Sequence, residues 1–538
     1  MAQRTVAQIV ARICARHGLG RAYGVPGGGS SLDMIRALAE QGIPFHLVRT
    51  EAGAIMAASA EAEAGGTIGL AITTQGPGAA SAVNGIAHSS LDRCPVLLVS
   101  DGWTAAQQRF DTHQAYDQQA MMAPIVKASS RLDGPDPAAE LERLIGLAMT
   151  PPWGPVFLEL TGETARRLVE DSEAPPSAAP ILELDPATIA QVRTMIAVAR
   201  RPVLLAGLEL REAGAEAGLA ALATALGAPV LTTYKAKGAL PDDHANLVGL
   251  FTGGAAEQPC VGAADLIILC GFDPVELIGR PWPYAAPVLD LGPVRHAVHY
   301  VEPVLALRGP VSAVLRAIGA EGFGPARWTP QEIAALRQAM LARLAYPAGN
   351  EGVSPEAVVR LAHEAAAGMD PRATVDAGAM MFSAMAFWPA RRLGDVLISN
   401  GLASMAYAVP AAIALSRQTP GRPVFAFTGD GGLMMCAGEL AAVSQHAGRL
   451  IVVVFNDATL SLIAIKQKSR QLPCEGVSWP RPDFAMVARG FGLRGYLARS
   501  ETEYAACVAE ALAGEGPALI DVHVDPSGYL AQSIALRG

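Results

Sequence analysis

A chain of 538 residues is too long for one hydrophobic core and implies three domains of ordinary size. Its 51% hydrophobic and 17% charged residues suit large buried sheets, while a formal net charge of −9 with no Lys/Arg-rich run argues against nucleic acid as a partner. Apolar stretches are broken by Gly, Pro or charge well before the roughly 20 residues a bilayer crossing needs, so no membrane partner is expected either. The seven cysteines are scattered and never in C-x-x-C spacing, which fits reduced thiols in a cytoplasm and offers no zinc site.

Residues 1–171 read as alternating helices and short apolar strands. The Arg-containing amphipathic start is a helix, Val6 to His17, rather than a transit peptide, because a strand-like Arg21–Val25 follows at once. The turn Pro26-Gly27-Gly28-Gly29 and a helix from Ser31 to Gln41 come next. Adjacent glycines between a strand and a helix permit close backbone approach to a ligand. Strand Pro44–Val48 ends in Arg49-Thr50-Glu51, where a small-residue helix, Ala52 to Ala64, begins. An acid at a helix N-terminus is favourable with the macrodipole, whatever else it does. Glu61 and Glu63 are expected on the exposed side of that helix, and His88, beside Ser89-Ser90-Leu91, near a helix end.

Ser172 to Leu184 is Pro/Ala/Ser-rich and reads as a linker. A second α/β pattern spans 185–340, with strands near Pro202–Ala206, Pro229–Thr232, Asp265–Cys270 and Val288–Leu291. Lys235, Lys237 and Gly238 read as a solvated loop, the alternative being a contact for an anionic substrate group or a CoA tail. A third pattern, 352–538, begins with strand Thr374–Ala377 before Gly378-Ala379-Met380. Within it, an apolar run Val424–Thr428 breaks at Gly429-Asp430-Gly431-Gly432, a helical pattern runs from Leu433 to His446, and a second apolar run covers Leu450–Phe455. A strand, helix, strand unit of this length makes parallel neighbours, so Asp430 and Asn456-Asp457 both fall beyond carboxyl ends of strands, where open α/β sheets bind ligands. Two hard oxygen ligands, with glycines that let the backbone approach an anion, suit Mg²⁺ holding a polyphosphate.

The spacing from Asp430 to Asp457, with Asn456 before it, resembles the cofactor motif of thiamine diphosphate (ThDP) enzymes, and the surrounding text resembles the acetolactate synthase and benzoylformate decarboxylase group. That resemblance implies three doubly wound parallel-sheet domains: pyrimidine-binding (1–171), middle (185–340) and diphosphate-binding (352–538). It implies Mg²⁺ on the carboxylates of Asp430 and Asp457 and the carbonyl of Thr459, with further cofactor contacts from Thr74, Gly378, Gly429, Gly431, Gly432, Leu460 and Leu462. Glu51, after the Tyr-Gly-Val-Pro-Gly-Gly turn, matches the glutamate that bonds N1′ of the aminopyrimidine and drives a proton relay toward C2 of the thiazolium. The text from Thr73 to Ala80 and from Asn400 to Pro410 continues the match. There Met405 corresponds to the apolar wedge between the cofactor rings, and the backbone at Ala403 and Met405 to the pyrimidine contacts. On the reacting side the resemblance places Gly28, Gln114 and His113, where the family commonly has Phe-Gln-Glu over the positions of His113, Gln114 and Ala115.

The departures concern the substrate. Asp457 replaces an Asn, adding negative charge beside the diphosphate. Met380 stands where acetolactate synthases usually carry His, and Lys466 where they carry a substrate-selecting Trp; Lys466 either pairs a substrate carboxylate or faces solvent. The turn Ala206–Arg211 poorly matches a flavin site, which argues against FAD. The expected activity is cleavage or ligation of C–C bonds in a 2-oxo acid. Alternatives on the same scaffold are a 2-hydroxyacyl-CoA lyase, a flavin-dependent 2-oxo acid oxidase and a non-catalytic paralogue. The family architecture implies a homodimer or homotetramer in which Glu51 and Asp430 act together only across a subunit interface, with the tail from Tyr529 to Gly538 near the pocket.

Overall fold

A computed structural model describes residues 3–171, 175, 183–277, 281–324, 328–347, 352–446 and 448–537. Most of the Ser172–Leu184 linker lies outside these residues. Three six-stranded sheets dominate, each wholly parallel among its paired strands, beside one small antiparallel pair, Gln3–Thr5 with Leu168–Glu170. The first sheet runs in the order Phe45–Leu47, Ala22–Val25, Gly69–Thr73, Val96–Gly102, Val156–Thr161, Ser129–Ser130. The second runs Leu247–Leu250, Val230–Thr232, Pro202–Ala206, Leu266–Cys270, Val288–Gly292, Leu305–Arg308. The third runs Val396–Ile398, Arg372–Val375, Val424–Gly429, Leu450–Asn456, Ala518–His523, Arg494–Ala498. The three expected parallel-sheet domains are therefore present.

The central strands are apolar runs buried on both faces, the pattern that helices on either side of a parallel sheet impose. Each fully buried Leu, Ile or Val there contributes about 1.5–3 kcal/mol over leaving it in water. The helix Glu51–Gly65 is made almost wholly of small residues and is buried nearly all round. Thr50 caps it by accepting from Gly53 N, and Gly66 ends it in the left-handed conformation. Its small side chains let strand Gly69–Thr73 come so close that a Cβ on Gly69 would clash with the Ala58 carbonyl.

The chain divides into two compact units: Met1–Pro180, Leu402–Pro420 and Cys436–Ala447 form one, and Ile181–Gly401, Gly421–Met435 and Gly448–Gly538 the other. Among the described residues no helix is long and apolar enough to cross a membrane.

Several expectations are corrected. The helix expected over Leu433–His446 starts at Asp430 and stops at Cys436, followed by a tight turn, Ala437–Glu439, and a short helix, Leu440–Val443. The interruption turns Glu439 inward, fully buried, where its carboxylate accepts from Arg49 N and Thr50 Oγ1. Glu61 is buried rather than exposed, bonded by Tyr23 OH and paired with Arg21 at 2.7 Å, and half-buried Glu63 faces the Cys94 thiol. Lys235 and Lys237 are buried, not solvated: Lys235 Nζ donates to the Ile398 carbonyl at 3.1 Å and Lys237 faces Asp242. Strand Arg372–Val375 is two residues earlier than expected, which frees Asp376 and Ala377 for the turn beyond it. Two strands of the middle sheet, Leu247–Leu250 and Leu305–Arg308, were not expected at all. The C-terminal tail is a helix, Tyr529–Arg537, held by Gln532 against Ser383 and the Leu344 carbonyl.

Candidate functional site

The site residues fall in two groups, one in each compact unit. In the second unit, strands Val424–Gly429 and Leu450–Asn456 are parallel neighbours with Gly429 opposite Phe455, so Asp430 and Asp457 leave the sheet side by side. Asp430 is only 3% exposed; its Oδ1 accepts from Gly431 N at 2.8 Å and its Oδ2 from Ala458 N at 2.6 Å. Asp457 accepts from Thr459 N at 3.1 Å and from the Ser461 hydroxyl. Every one of these donors is neutral. Burial first, then the facing charge of Asp457, pushes Asp430 up to about 7, and burial likewise raises Asp457. Ala458, between them, sits in the left-handed region at φ 59°, which carries the loop from Asp457 to Thr459 back over Asp430.

Clearance above these acids depends on absent side chains. A Cβ on Gly432 would meet Asp376 Oδ2 at 2.5 Å, the same oxygen that accepts the Thr428 hydroxyl, and one on Gly378 would meet Met380 Sδ at 2.6 Å. Asn456 Oδ1 is buried without a hydrogen bond. Leu460 enters the group through its backbone, which bonds Val477 O at 2.7 Å, whereas Leu462 packs into an apolar cluster with Tyr346, Ala379 and Tyr529. Lys466 is exposed.

In the first unit Glu51 opens its helix half-buried, with Gly78 close enough that a Cβ there would lie 3.5 Å from Glu51 Oε1. Glu439 was missed by sequence reasoning, because a continuous helix would leave it on a solvated face. It clamps the residues just before Glu51, and a Cβ on Gly53 would meet it at 2.7 Å. Asp101 was missed as well. Its carboxylate accepts from Ser30 Oγ, Ser31 N and Ser31 Oγ at 2.7 Å each, fixing the turn that carries Gly28. Gln118 extends the network, accepting from Gly76 N at 2.8 Å and donating to Asp101 O at 3.0 Å. Tyr116 OH donates to Gly76 O at 2.8 Å, so the turn from Thr74 to Gly76 and the segment around Gln114 are joined. Gln114 itself is strained at φ 59° and packs on Gly76.

The structure thus brings Gly28, Thr74 and Gln114 onto one hydrogen-bonded frame, but not His113, which is exposed and, among the described residues, bonded through its backbone N to Asp111 alone. His88 lies in the last turn of its helix, as expected. It is fully buried inside helix Pro77–Leu91, 3.0 Å from Asp92 and packed on Tyr407. That helix also anchors the segment carrying Ala403 and Met405, through Asn84 to Ser404 at 3.2 Å and Asp92 to Leu402 N at 3.4 Å. Ala403 and Ala406 flank half-buried Met405 with φ of 55° and 68°.

A separate group lies at the carboxyl edge of the middle sheet. Glu209, Asp273 and His296 bring their ligand atoms within 4.8 Å of one another. His296 Nε2 is 3.3 Å from Glu209 Oε1 and Nδ1 is 3.7 Å from Asp273 Oδ1, so the imidazole stands between the two acids.

Residues 4–121 match the family described as thiamine pyrophosphate enzyme, N-terminal TPP binding domain; residues 189–318 match its central domain; residues 376–522 match its C-terminal TPP binding domain. The chain belongs to the thiamine pyrophosphate enzyme family. Thiamine pyrophosphate is the cofactor called ThDP above. Among curated relatives, a probable acetolactate synthase large subunit of Methanocaldococcus jannaschii is 26% identical over 97% of this chain and 92% of its own. A catabolic acetolactate synthase of Raoultella terrigena is 28% identical over 94% and 93%, and a probable 2-ketoarginine decarboxylase of Pseudomonas aeruginosa 27% over 91% and 88%. The residues present fit the ThDP of this family: a buried and a half-buried acid met by neutral donors, an unpaired buried amide oxygen, and glycines at turns too close to Asp376 and Met380 to admit a Cβ.

Proposed function

We propose that this ThDP enzyme is a Mg²⁺-dependent C–C bond lyase or carboligase acting on a 2-oxo acid. The observation that carries the reading is the pair of buried Asp430 and half-buried Asp457, side by side at adjacent parallel strand ends with no cation among their hydrogen-bond donors in the described residues. A divalent cation relieves that repulsion and ties a diphosphate to the same spot. Asp430, Asp457 and the Thr459 carbonyl would hold Mg²⁺, while Gly378, Gly429, Gly431 and Gly432 leave room for phosphate oxygens. Bound ThDP supplies a carbon nucleophile for the substrate carbonyl and an electron sink for the loss of CO₂.

The chain's own residues do the rest. Glu51 holds a proton at N1′ of the aminopyrimidine, with Glu439 and Thr50 fixing the turn that aims it. Met405 orients the cofactor rings, and the backbone at Ala403 and Met405 bonds the pyrimidine edge. Gly28 and Gln114 line the reacting side on the frame built by Asp101 and Gln118; His113 is an exposed loop residue. Asp430 and Glu51 meet across the interface of a homodimer or homotetramer in the cytoplasm.

Glu51→Gln tests the mechanism. It keeps the shape and removes the carboxylate, so kcat should fall by about 10²–10⁴-fold while ThDP affinity stays within a few fold. Turnover at the wild-type rate would sink the relay. A screen of 2-oxo acids with ThDP and Mg²⁺, scoring CO₂ and ligated products together, identifies the substrate and separates decarboxylation from ligation.

A further inference from the structure

Asp457 places a full negative charge where the family resemblance expects a neutral amide, and the atoms that bond it, Thr459 N and the Ser461 hydroxyl, bring no positive charge. With two carboxylates, a diphosphate and a single divalent cation, the site is short of positive charge. The chain that crosses the metal loop supplies a candidate. Leu460 N donates to Val477 O at 2.7 Å, Thr459 bridges Ser478 in antiparallel sense, and Trp479 N donates to Ala458 O at 3.2 Å. Asn456 Nδ2 then donates to Pro482 O at 3.1 Å. Arg481 is therefore pinned between two residues that are bonded to the loop bearing Asp457. Its neighbour Asp483 is already occupied, capping the helix Phe484–Gly490 through Met486 N. Arg481 is exposed, and no hydrogen bond or ion pair engages it among the described residues, yet its field acts on Asp430 and Asp457, as it does on Asp521 and His523 nearby.

We propose that Arg481 is a positioning residue for the cofactor, supplying the positive charge that Asp457 makes necessary when the Mg²⁺-bound diphosphate is in place. The inference rests on the ThDP and Mg²⁺ reading given above. It concerns the anionic end of the cofactor, not the substrate.

A double-mutant cycle tests it, with binding of Mg²⁺ and ThDP to the apoprotein measured by calorimetry in wild type, R481M, R481K, D457N and the R481M/D457N pair. In the wild-type background R481M should weaken binding about fivefold, the upper range for an exposed ion pair, and the loss should shrink in high salt. R481K should restore most of the affinity because it keeps the charge. In the D457N background R481M should cost less than twofold. Equal losses in both backgrounds, or no loss in either, overturn the pairing. A raised KM for a 2-oxo acid with unchanged cofactor affinity overturns it too, by placing Arg481 on the substrate. If wild-type apoprotein fails to bind Mg²⁺ and ThDP, the functional reading itself falls and takes this inference with it, a result distinct from binding without coupling.

Discussion

The carboxyl edges of the middle and third sheets both carry buried acids, and they treat the charge in opposite ways. In the middle sheet Glu209 and Asp273 face His296, Asp290 is bonded by Arg308, and Glu276, pushed up to about 8 by burial, takes the Thr233 hydroxyl. In the third sheet Asp430 and Asp457 are bonded by backbone amides and one serine hydroxyl, and they face each other. An acid cluster supplied with its own imidazole and guanidinium partners is self-sufficient and holds its loops together. One left without such partners would, on the reading proposed above, suit a visiting cation, its repulsion in the empty state favouring binding. On that proposal, the same fold and the same residue types would serve structure at one edge and ligand binding at the other.

Removing one acid from the uncompensated pair is the strongest way to break this contrast. Asp430→Asn should weaken Mg²⁺ and ThDP binding by more than about 100-fold, beyond the range for residues that merely support a ligand. Calorimetry showing less than a tenfold loss would locate the cation elsewhere. Removing the imidazole from the other edge comes next. His296→Ala leaves Glu209 and Asp273 facing each other in a buried site and should cost about 3 kcal/mol in urea unfolding, with cofactor affinity of the folded protein within twofold of wild type. A drop in cofactor affinity without a loss of stability would reverse the roles assigned to the two edges.

The smallest effect is in pH. Asp430 is held near 7 when folded against an ordinary 3.8, so between those values the native state binds more protons than the unfolded one. Its favourable contribution is complete below pH of about 4 and is lost as pH rises through about 7. Without Mg²⁺, the melting temperature should fall by about 3 °C between pH 5.5 and 7.5, and Mg²⁺ with ThDP should reverse this at 7.5 far more than at 5.5. The Asp430→Asn chain should lack this component; if it shows the same pH slope, the acid pair is not its origin.

What the sequence made legible was whatever is local. Val424–Thr428 and Leu450–Phe455 are apolar runs long enough to be read as buried strands, and their ends place Asp430 and Asp457 without further information. Leu247–Leu250 was hidden because Gly249, at φ 150°, and a register shift interrupt so short a strand. Leu305–Arg308 is an edge strand of ordinary composition. Charged side chains were misread whenever their partners are remote. Glu61 is buried by Tyr23 and Arg21, Lys235 by a carbonyl 163 residues away, and Glu439 by Arg49 and Thr50, some 390 residues back. Periodicity registers which face of a helix is apolar; it carries nothing about a lone acid that finds donors across the fold.

The backbone around Met405 has a consequence for how such a protein can be improved. Ala403 and Ala406 hold left-handed conformations at φ 55° and 68°, each at roughly 1–2 kcal/mol for a residue bearing a Cβ. Glycine at either position would relieve that strain, offset in part by the freedom it gives the unfolded chain. It would also let the segment wander, and with it Met405, the side chain proposed to orient the cofactor rings. Laboratory selection for heat resistance should therefore favour Ala403→Gly and Ala406→Gly, while selection for turnover should keep both alanines, so these two positions are where the two pressures pull apart.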